Sequence, residues 1–343
     1  MAKSKLESWF ARTWLRRGPA ACLLLPLSWL YALLSAARRA LYRLGVLKSE
    51  RMPVPVIVVG NIFVGGTGKT PLTIWLVQAL QRAGLHPGVV SRGHGARHEG
   101  AIAVTESSTP QQVGDEPLLI FQRARCPVVV GRNRVAAAQT LLAANPQVDV
   151  IVSDDGLQHY ALQRDVEIVL FDARLAGNGW LLPAGPLREP ASRRRDFTVI
   201  NAATRTPNWP QEALQMRLLG GHAEKLTDSA QSISLTALQL EMPGRRIAAA
   251  AGIGHPERFF QMLRNAGLSF EAIALPDHFD FSDYSFAATA ADLILITEKD
   301  AVKCRHIAAL RDDPRLWVVP VSAQLDDALA ERIMEKLRGY TTA

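Results

Sequence analysis

The strongest indication of the fold class comes from residues 54–84, VPVIVVGNIFVGGTGKTPLTIWLVQALQRAG. This stretch begins with a run rich in valine and isoleucine, which is typical of a buried strand. A glycine-rich turn follows, and then an amphipathic segment that we expect to form a helix ending near Gly84, because glycine is favoured just past a helix C-terminus. Strand, glycine-rich turn and helix in this order are typical of a loop whose backbone N–H groups bind phosphate.

The glycine-rich turn departs from the strict Walker A pattern, which requires Gly, four residues and then Gly-Lys-Ser/Thr. Gly68, Lys69 and Thr70 match its end, but Phe63 occupies the position of the first glycine. A Gly-Lys-Thr triplet can also be an ordinary turn, yet its place between strand and helix favours a site for ATP or GTP. We expect Lys69 to reach the β- and γ-phosphates and Thr70 to bind Mg²⁺. The predicted phosphate-binding residues are Phe63, Val64, Gly65, Gly66, Thr67, Gly68, Lys69 and Thr70.

A pair of carboxylates follows a second apolar run, in VDVIVSDDGLQH, residues 148–159. Phosphoryl-transfer sites of this kind hold the metal with an acidic residue at the end of a neighbouring strand. Asp154 and Asp155 are in that position, but adjacent residues of a strand point to opposite faces. We therefore expect one to face the metal and the other to orient a neighbouring group. A simple Asp-Gly turn at the strand end is the alternative.

We predict an α/β protein, because short β-branched runs alternate with helical stretches from Val54 onward. We predict a P-loop NTPase-like parallel-sheet domain over residues 51–205. A connector with extended strands is expected at 206–245, and a smaller α/β domain that closes over the active site at 246–343. Residues 1–50 are predicted to form a basic, apolar helical segment associated with a membrane.

Composition and charge exclude several classes of protein and of binding partner. With 343 residues, 48% of them hydrophobic, the chain is long enough for two domains and too apolar to be disordered. Three widely spaced cysteines and no CxxC pair argue against a disulfide framework or a structural zinc site. Residues 1–52 hold ten basic and two acidic residues, so the rest of the chain is nearly neutral although the net charge is +7. This distribution argues against a nucleic-acid partner and favours an anionic membrane surface.

The N-terminal segment contains twenty uncharged residues, GPAACLLLPLSWLYALLSAA, between Arg17 and Arg38. This length is sufficient to span a bilayer. Basic residues flank it on both sides, however, so the positive-inside rule gives no orientation, and a helix lying in the membrane interface fits better. A signal peptide cleaved near Ala37 and a buried helical hairpin are the alternatives.

Several further motifs occur in a fixed order along the chain: SRGHG (91–95), VGDEP (113–117), GRNR (131–134), LPAGPLREP (182–190), AGIGHPERFF (251–260), LPDHF (275–279) and TEKDAVK (297–303). With the glycine-rich loop and DDGLQH, they give the chain over nearly its whole length a resemblance to the tetraacyldisaccharide 4′-kinase family of lipid A biosynthesis. One departure is His94, where that family usually has tyrosine.

The resemblance implies a kinase that transfers the γ-phosphate of ATP, with Mg²⁺, to the 4′-hydroxyl of an acylated glucosamine disaccharide 1-phosphate. The product would be the 1,4′-bisphosphate, formed by a peripheral or monotopic protein at the cytoplasmic face of the bacterial inner membrane. The lipid disaccharide and the anionic membrane are the implied partners, and no obligate protein partner is evident. Asp115 would act as base together with His278, and Glu116 with Asp154 and Asp155 would bear on the metal site. Further candidates for the active site are Ser91, Arg92, Arg132, Arg134, His159, Arg188 and Glu189.

The residues themselves are compatible with this chemistry. A sugar hydroxyl is a poor nucleophile, and a positioned carboxylate can accept its proton during phosphoryl transfer. Asp115 could instead be a helix cap and His278 an ordinary loop histidine. The alternative function is a membrane-associated P-loop ATPase or regulator that hydrolyses nucleotide to change conformation and would leave His278 without a role.

Overall fold

A computed structural model describes residues 9–10, 12–96, 99–241 and 244–338, and the structural statements below concern these residues. Residues 1–8 and 11 of the predicted membrane-associated segment lie outside the described residues. The described chain forms two β-sheets, both built mainly from parallel strands and both flanked by helices. The predicted α/β class, with a larger and a smaller parallel-sheet unit, is confirmed.

The larger sheet contains β1 (Val56–Gly60), β2 (Pro87–Ser91), β3 (Ile102–Ala103), β4 (Val128–Val130), β5 (Val150–Asp154), β6 (Val166–Asp172), β7 (Phe197–Asn201), β8 (Leu214–Leu219) and β15 (Ser322–Gln324). Their order across the sheet is β15-β8-β7-β6-β1-β5-β2-β4-β3. The seven inner strands are mutually parallel, and β3 and β15 close the edges in antiparallel orientation. Because β1 lies between β5 and β6, residues at the carboxyl ends of these three strands meet at one edge.

The larger sheet is covered on both faces, as its uniformly apolar strands require. Its helices are α3 (Lys69–Arg82), α4 (Pro110–Val113), α5 (Asp115–Ala124), α6 (Arg134–Ala144) and α11 (Ala328–Arg338). Within β1, Ile57 and Val59 enter one buried cluster while Val56 and Val58 enter the other. This alternation follows from the two-residue period of a strand.

The smaller sheet contains β9 (His222–Lys225), β10 (Ser232–Ser234), β11 (Ile247–Ala251), β12 (Glu271–Ala274), β13 (Leu293–Thr297) and β14 (Leu316–Val319). They are ordered β10-β9-β14-β13-β11-β12, with β14, β13, β11 and β12 mutually parallel. Its helices are α7 (Leu235–Glu241), α8 (Pro256–Asn265), α9 (Glu298–Cys304) and α10 (Ala308–Arg311). The loops after β11 and β12 and the helix after β13 leave its strands at their carboxyl ends, as in the larger sheet.

The boundary between the two units differs from the predicted one. The predicted connector at 206–245 is divided, since β8 joins the larger sheet and β9 and β10 join the smaller. The chain then returns: β15 pairs with β8, and α11 packs against α3 with Leu329 and Ile333 buried in the core of the larger unit. The C-terminal part of the predicted 246–343 domain thus belongs to the larger unit. A three-residue strand and one amphipathic helix carry no sequence signal for the sheet they join.

Two N-terminal helices, α1 (Pro19–Leu23) and α2 (Leu25–Arg43), lie against the larger unit. The Ser28 hydroxyl donates to the Leu181 carbonyl over 2.8 Å, and the Tyr31 hydroxyl donates to the Arg188 carbonyl over 2.9 Å. The outer surface of the pair is apolar and exposed, comprising Leu23, Leu27, Trp29, Leu30, Leu33 and Leu34. Within the described residues, none of the helices combines the length and the apolar character that crossing a bilayer demands.

Candidate active site

The glycine-rich loop between β1 and α3 is shaped by two glycines with left-handed backbone, Gly65 at φ 109° and Gly68 at φ 98°. Such angles favour glycine because other residues clash there. A Cβ on Gly68 would also lie 2.7 Å from the side-chain nitrogen of Asn201. That nitrogen donates to the Thr67 carbonyl over 2.8 Å. The end of β7 therefore holds the loop in shape, a contact that the sequence did not indicate.

Asn61, the first residue after β1, organises the loop from inside. Its buried amide donates to the Gly65 carbonyl over 3.1 Å and to the Thr67 hydroxyl over 3.0 Å. Its Oδ1 accepts from Lys69 Nζ over 3.1 Å. Lys69 is thereby held over the loop in the position expected of a phosphate-binding lysine. Sequence reasoning missed Asn61, although its place at the junction of strand and loop was a usable signal.

Asp154 and Asp155 have different partners, because the strand ends at Asp154 and Asp155 already lies outside it with a left-handed backbone. Asp154 is fully buried at the end of β5 and accepts hydrogen bonds from Thr73 Oγ1 over 3.1 Å and Ser91 Oγ over 3.2 Å. Burial raises the pKa of Asp154 to about 6, and the charges of Glu116 and Asp155 act in the same direction. Ser91, one of the predicted site residues, thus supports this carboxyl group.

Asp155 leaves the strand with a left-handed backbone, at φ 50°. Its carboxylate lies 3.5 Å from Lys69 Nζ and 3.6 Å from Arg188 Nη1. Burial alone would raise its pKa, but these two cations outweigh burial and lower it. Its Oδ1 is buried and has no hydrogen-bond partner. Asp155 therefore stays anionic, and its buried Oδ1 faces the ammonium group of Lys69.

Asp115 and His278 meet across the two units. Asp115 is the first residue of α5 and is buried, whereas His278 lies in the loop after β12 with a left-handed backbone at φ 55°. Asp115 Oδ2 and His278 Nδ1 are 3.1 Å apart. A histidine held in this backbone conformation is a strained residue of the kind that accumulates at functional sites.

This contact sets the charge states of both groups. Burial alone would raise the pKa of Asp115, but the hydrogen bond to His278 and the charge of Lys299 outweigh it and lower the pKa to about 2. The same hydrogen bond raises the pKa of His278, against burial and Lys299, which lower it. Asp115 is therefore a carboxylate at neutral pH. Both residues were predicted from the sequence, and the fold brings them together although 163 positions separate them.

Lys299 completes this cluster and was missed by sequence reasoning, which found no role for its motif. Its Nζ lies 3.0 Å from Glu116 Oε1 and 3.8 Å from Asp115 Oδ2. Burial alone would lower the pKa of Lys299, but the carboxylates of Glu116, Asp115 and Asp277 outweigh it and raise it. The lysine is therefore a cation within a predominantly acidic group. Glu116, predicted to bear on the metal, is thus also an ion-pair partner of the smaller unit.

The smaller unit also reaches the glycine-rich loop directly. A Cβ on Gly254 would lie 3.6 Å from the backbone nitrogen of Gly66 and 3.1 Å from Asp277 Oδ2. Arg258 Nη2 is 2.9 Å from the buried Oδ2 of Asp172 at the end of β6. The loop after β11 therefore lies against the glycine-rich loop and beside Asp277. Helix α8 lies against the end of β6.

Some predicted site residues have structural partners. Arg134 is buried and donates to the backbone carbonyls of Gly131 and Asp154, so it braces the end of β5 instead of facing outward. Burial lowers the pKa of Arg134 to about 10. Glu189 is likewise buried, paired with Arg193 and accepting from Gln158 over 2.9 Å.

Other predicted residues line the periphery. Arg92 and Arg132 are exposed. Burial lowers the pKa of His159 to about 4, and within the described chain no hydrogen bond joins its ring to either aspartate of the adjacent pair. His94 lies in the loop after β2, with its ring centroid 5.5 Å from that of His278. His94, the residue that departs from the family pattern, therefore lies beside His278 of the Asp115–His278 pair.

Comparisons with known proteins agree with the motifs. The sequence model of the tetraacyldisaccharide-1-P 4′-kinase family matches residues 20–338. The tetraacyldisaccharide 4′-kinase of Janthinobacterium sp. (strain Marseille) is 63% identical, covering 100% of this chain and 99% of that protein. The enzyme of the same name from Dechloromonas aromatica (strain RCB) is 48% identical, covering 98% and 100%.

A solved structure is similar over most of the fold. The crystal structure of LpxK from Aquifex aeolicus in complex with ATP has a TM-score of 0.77 and 28% identity, covering 93% of this chain and 99% of that one. The family match spans both sheets and all the motifs that build the site. The chain therefore belongs to the tetraacyldisaccharide-1-P 4′-kinase family.

Proposed function

We propose that this protein transfers the γ-phosphoryl group of ATP to the 4′-hydroxyl of an acylated glucosamine disaccharide 1-phosphate, giving the 1,4′-bisphosphate. Family membership supports the reaction. The observation that carries the residue assignment is the 3.1 Å contact between Asp115 and His278, which adjoins the nucleotide loop and is made only when the two units are together. Membership of a kinase family does not favour the alternative, a P-loop ATPase or regulator, for which His278 would have no use.

The nucleotide end of the reaction uses the loop at 61–70. Its N–H groups and the N-terminus of α3 offer donors to phosphate oxygens, and Lys69 supplies positive charge at the β- and γ-phosphates. Arg188 lies beside Asp155 and can add a second cation as charge shifts during transfer. The carboxylate of Asp155 lies within 3.6 Å of both cations and offsets part of their charge.

The residues at this edge fit a magnesium ion bound together with ATP. Thr70 lies in the first turn of α3, and Asp154 ends the neighbouring strand. Asp155 follows it, with its buried Oδ1 3.5 Å from Lys69 Nζ. Among the described residues, no group of three or more His, Cys, Asp or Glu side chains could hold a metal ion. Mg²⁺ in kinase sites is usually bound by one or two carboxylates together with substrate phosphates. When bound, Mg²⁺ neutralises charge on the phosphates.

The acceptor end uses the carboxylate of Asp115. A base must reach the proton that it removes, and a carboxylate with a pKa of about 2 is fully ionised at neutral pH but weakly basic. His278 orients this carboxylate through the hydrogen bond between its Nδ1 and Asp115 Oδ2. Because the pair is assembled from both units, water that enters when they separate meets an incomplete site. That arrangement limits wasteful hydrolysis of ATP.

The N-terminal helices α1 and α2 support the proposal that the substrate is a lipid. Their exposed leucines form an apolar surface, and Arg38, Arg39 and Arg43 follow on α2. Beside them lies a cavity of about 970 Å³, whose basic lining residues are Arg39, Arg43, Arg164, Arg193 and Arg194. The Nη1 atom of Arg39 is buried there without a hydrogen-bond partner. An apolar surface bordered by arginines suits a substrate with acyl chains and a phosphate at the surface of an anionic membrane.

The reaction is tested by incubating the purified protein with ATP, Mg²⁺ and the acylated disaccharide 1-phosphate in detergent micelles. Mass spectrometry should detect a lipid that has gained one phosphate group. Release of inorganic phosphate without any change in the lipid would reject the kinase in favour of the ATPase.

The membrane contact is tested with vesicles. We expect the full chain to sediment with anionic vesicles, less so at high salt, and the paired substitutions Leu30→Gln and Leu34→Gln to weaken sedimentation further. Leu240→Gln is the matched control, since Leu240 is 80% exposed but lies in the smaller unit. Equal sedimentation of both variants would locate the membrane contact elsewhere.

A further inference from the structure

Lys299 lies where both units and both members of the Asp115–His278 pair converge. It is the second residue of α9, and its side chain is 17% exposed. The Nζ atom is 3.0 Å from Glu116 Oε1, 3.8 Å from Asp115 Oδ2 and 3.9 Å from Asp277 Oδ1. It is also 3.4 Å from His278 Nε2. One ammonium group therefore faces three carboxylates and the ring nitrogen that Asp115 leaves free.

The contact with His278 constrains the proton on the imidazole ring. An ammonium group carries only donors, so the ring nitrogen that faces Lys299 must present its lone pair. A neutral imidazole with Nε2 as acceptor carries its hydrogen on Nδ1, the nitrogen that lies 3.1 Å from the carboxylate of Asp115. A carboxylate accepts only, so the two groups within hydrogen-bond distance of the ring require the same tautomer. The carboxylate of Asp277 lies farther away, with its Oδ1 4.0 Å from Nε2.

The contact with Glu116 constrains the distance between the units. Asp115 and Glu116 begin α5 of the larger unit, whereas Lys299 and His278 belong to the smaller one. The ion pair between Lys299 and Glu116 thus fixes the separation at which His278 reaches Asp115. It also offsets part of the repulsion among three carboxylates that would otherwise adjoin the acceptor site.

We propose that Lys299 is a positioning residue of this kinase, which holds His278 in the tautomer that donates from Nδ1 to Asp115 and sets the domain closure that forms the pair. The proposal rests on the proposed function for its catalytic consequence, but the tautomer itself is a property of the protein alone.

The neighbouring ion pair between Arg123 and Glu298 provides a matched control. Arg123 lies on α5 and Glu298 directly precedes Lys299, so this pair also joins the two units. Within the described residues it makes no contact with Asp115 or His278. Arg123→Met therefore removes an ion pair between the units without removing the contact to the imidazole ring, which Lys299→Met does remove.

The first measurement is a ¹⁵N–¹H long-range NMR spectrum of the full chain labelled at its eight histidines, recorded well above the pH at which histidine takes up a proton. His278→Gln identifies the His278 signals. We expect the wild-type protein and Arg123→Met to show the Nδ1–H tautomer at His278, and Lys299→Met to show a mixture. An Nε2–H tautomer in the wild-type spectrum overturns the proposal even if no variant folds.

The second measurement separates a positioning role from a structural one. Lys299→Met should lower kcat about 10- to 10²-fold, the range of a mispositioned catalytic group, while KM for ATP changes less than about threefold. Arg123→Met should change kcat by much less. Equal losses of kcat in the two variants, with an unchanged tautomer, would reject the proposal. A wild-type protein without kinase activity would reject the proposed function instead and leave the NMR result to decide the tautomer.

Discussion

The pairing of Asp115 with His278 makes a quantitative prediction for a double-mutant cycle. Asp115→Ala removes the proposed base, and His278→Ala removes its partner at 3.1 Å. Removal of a general acid–base group typically costs about 10²- to 10⁴-fold in rate, so each single variant should lose at least about 10²-fold in kcat. If the two act as one unit, the losses should not multiply.

The expected coupling follows from the type of contact. A hydrogen bond to a charged group contributes about 1.5–3 kcal/mol, and each 1.36 kcal/mol of barrier is a tenfold change in rate. The double variant should therefore retain about 10- to 10²-fold more activity than the product of the single losses. The assay is the initial rate of phosphate transfer to the acylated disaccharide 1-phosphate at saturating ATP.

Two observations complete the cycle. ATP affinity should be nearly unchanged in all three variants, because neither residue belongs to the glycine-rich loop. Asp280→Ala, which removes an exposed carboxylate from the same loop as His278, should behave like the wild-type protein. Fully multiplicative losses would mean that Asp115 and His278 act independently, and the shared pair would have to be abandoned.

Three further predictions concern the nucleotide loop and its surroundings. Lys69→Ala should lower kcat by about 10²-fold or more, since it removes charge that acts on the transferring phosphoryl group; near-normal turnover at saturating ATP would contradict this. Gly68→Ala should weaken ATP binding about tenfold or more, measured by calorimetry, because its Cβ would meet Asn201 at 2.7 Å; Gly84→Ala, where φ is also positive but the space is open, should leave affinity unchanged. Burial lowers the pKa of His255 to about 4 from 6.5, so the unfolded chain binds the proton first and the free energy of unfolding should fall between about pH 6.5 and 4. Urea titrations at a series of pH values should show a shallower fall for His255→Gln, and identical slopes would refute the assignment.

Sequence alone predicted the parts of the site whose residues are neighbours along the chain. Strand, glycine-rich loop and helix are contiguous in residues 54–84, so Lys69 and Thr70 could be placed without knowledge of the rest. Asp154 and Asp155 followed from the rule that parallel strands end at one edge. The sequence did not show that β5 ends at Asp154 and that Asp155 turns away with a left-handed backbone.

The remaining parts depend on contacts that no local pattern encodes. Asn201 supports the loop from β7, although its position does not differ in sequence from an ordinary surface asparagine. Lys299 lies in the TEKDAVK motif, but nothing in that motif shows that its side chain reaches α5 of the other unit. Arg134 illustrates the opposite error. An arginine after a strand suggests a phosphate contact, but whether its guanidinium points outward or bonds to the carbonyl of Asp154 depends on the packing of α6. The return of β15 to the larger sheet is similarly a property of the assembled fold.

The central claim is that the site built from both units directs the phosphoryl group to one hydroxyl of the lipid. The most direct test is the regiochemistry of the product, read by ³¹P–¹H correlation NMR after incubation with ATP and the acylated disaccharide 1-phosphate. We predict a new phosphate coupled to the proton on the 4′ carbon, and no product from a substrate that lacks the 4′-hydroxyl. A phosphate on another hydroxyl, or equal turnover of the substrate lacking the 4′-hydroxyl, would contradict the account.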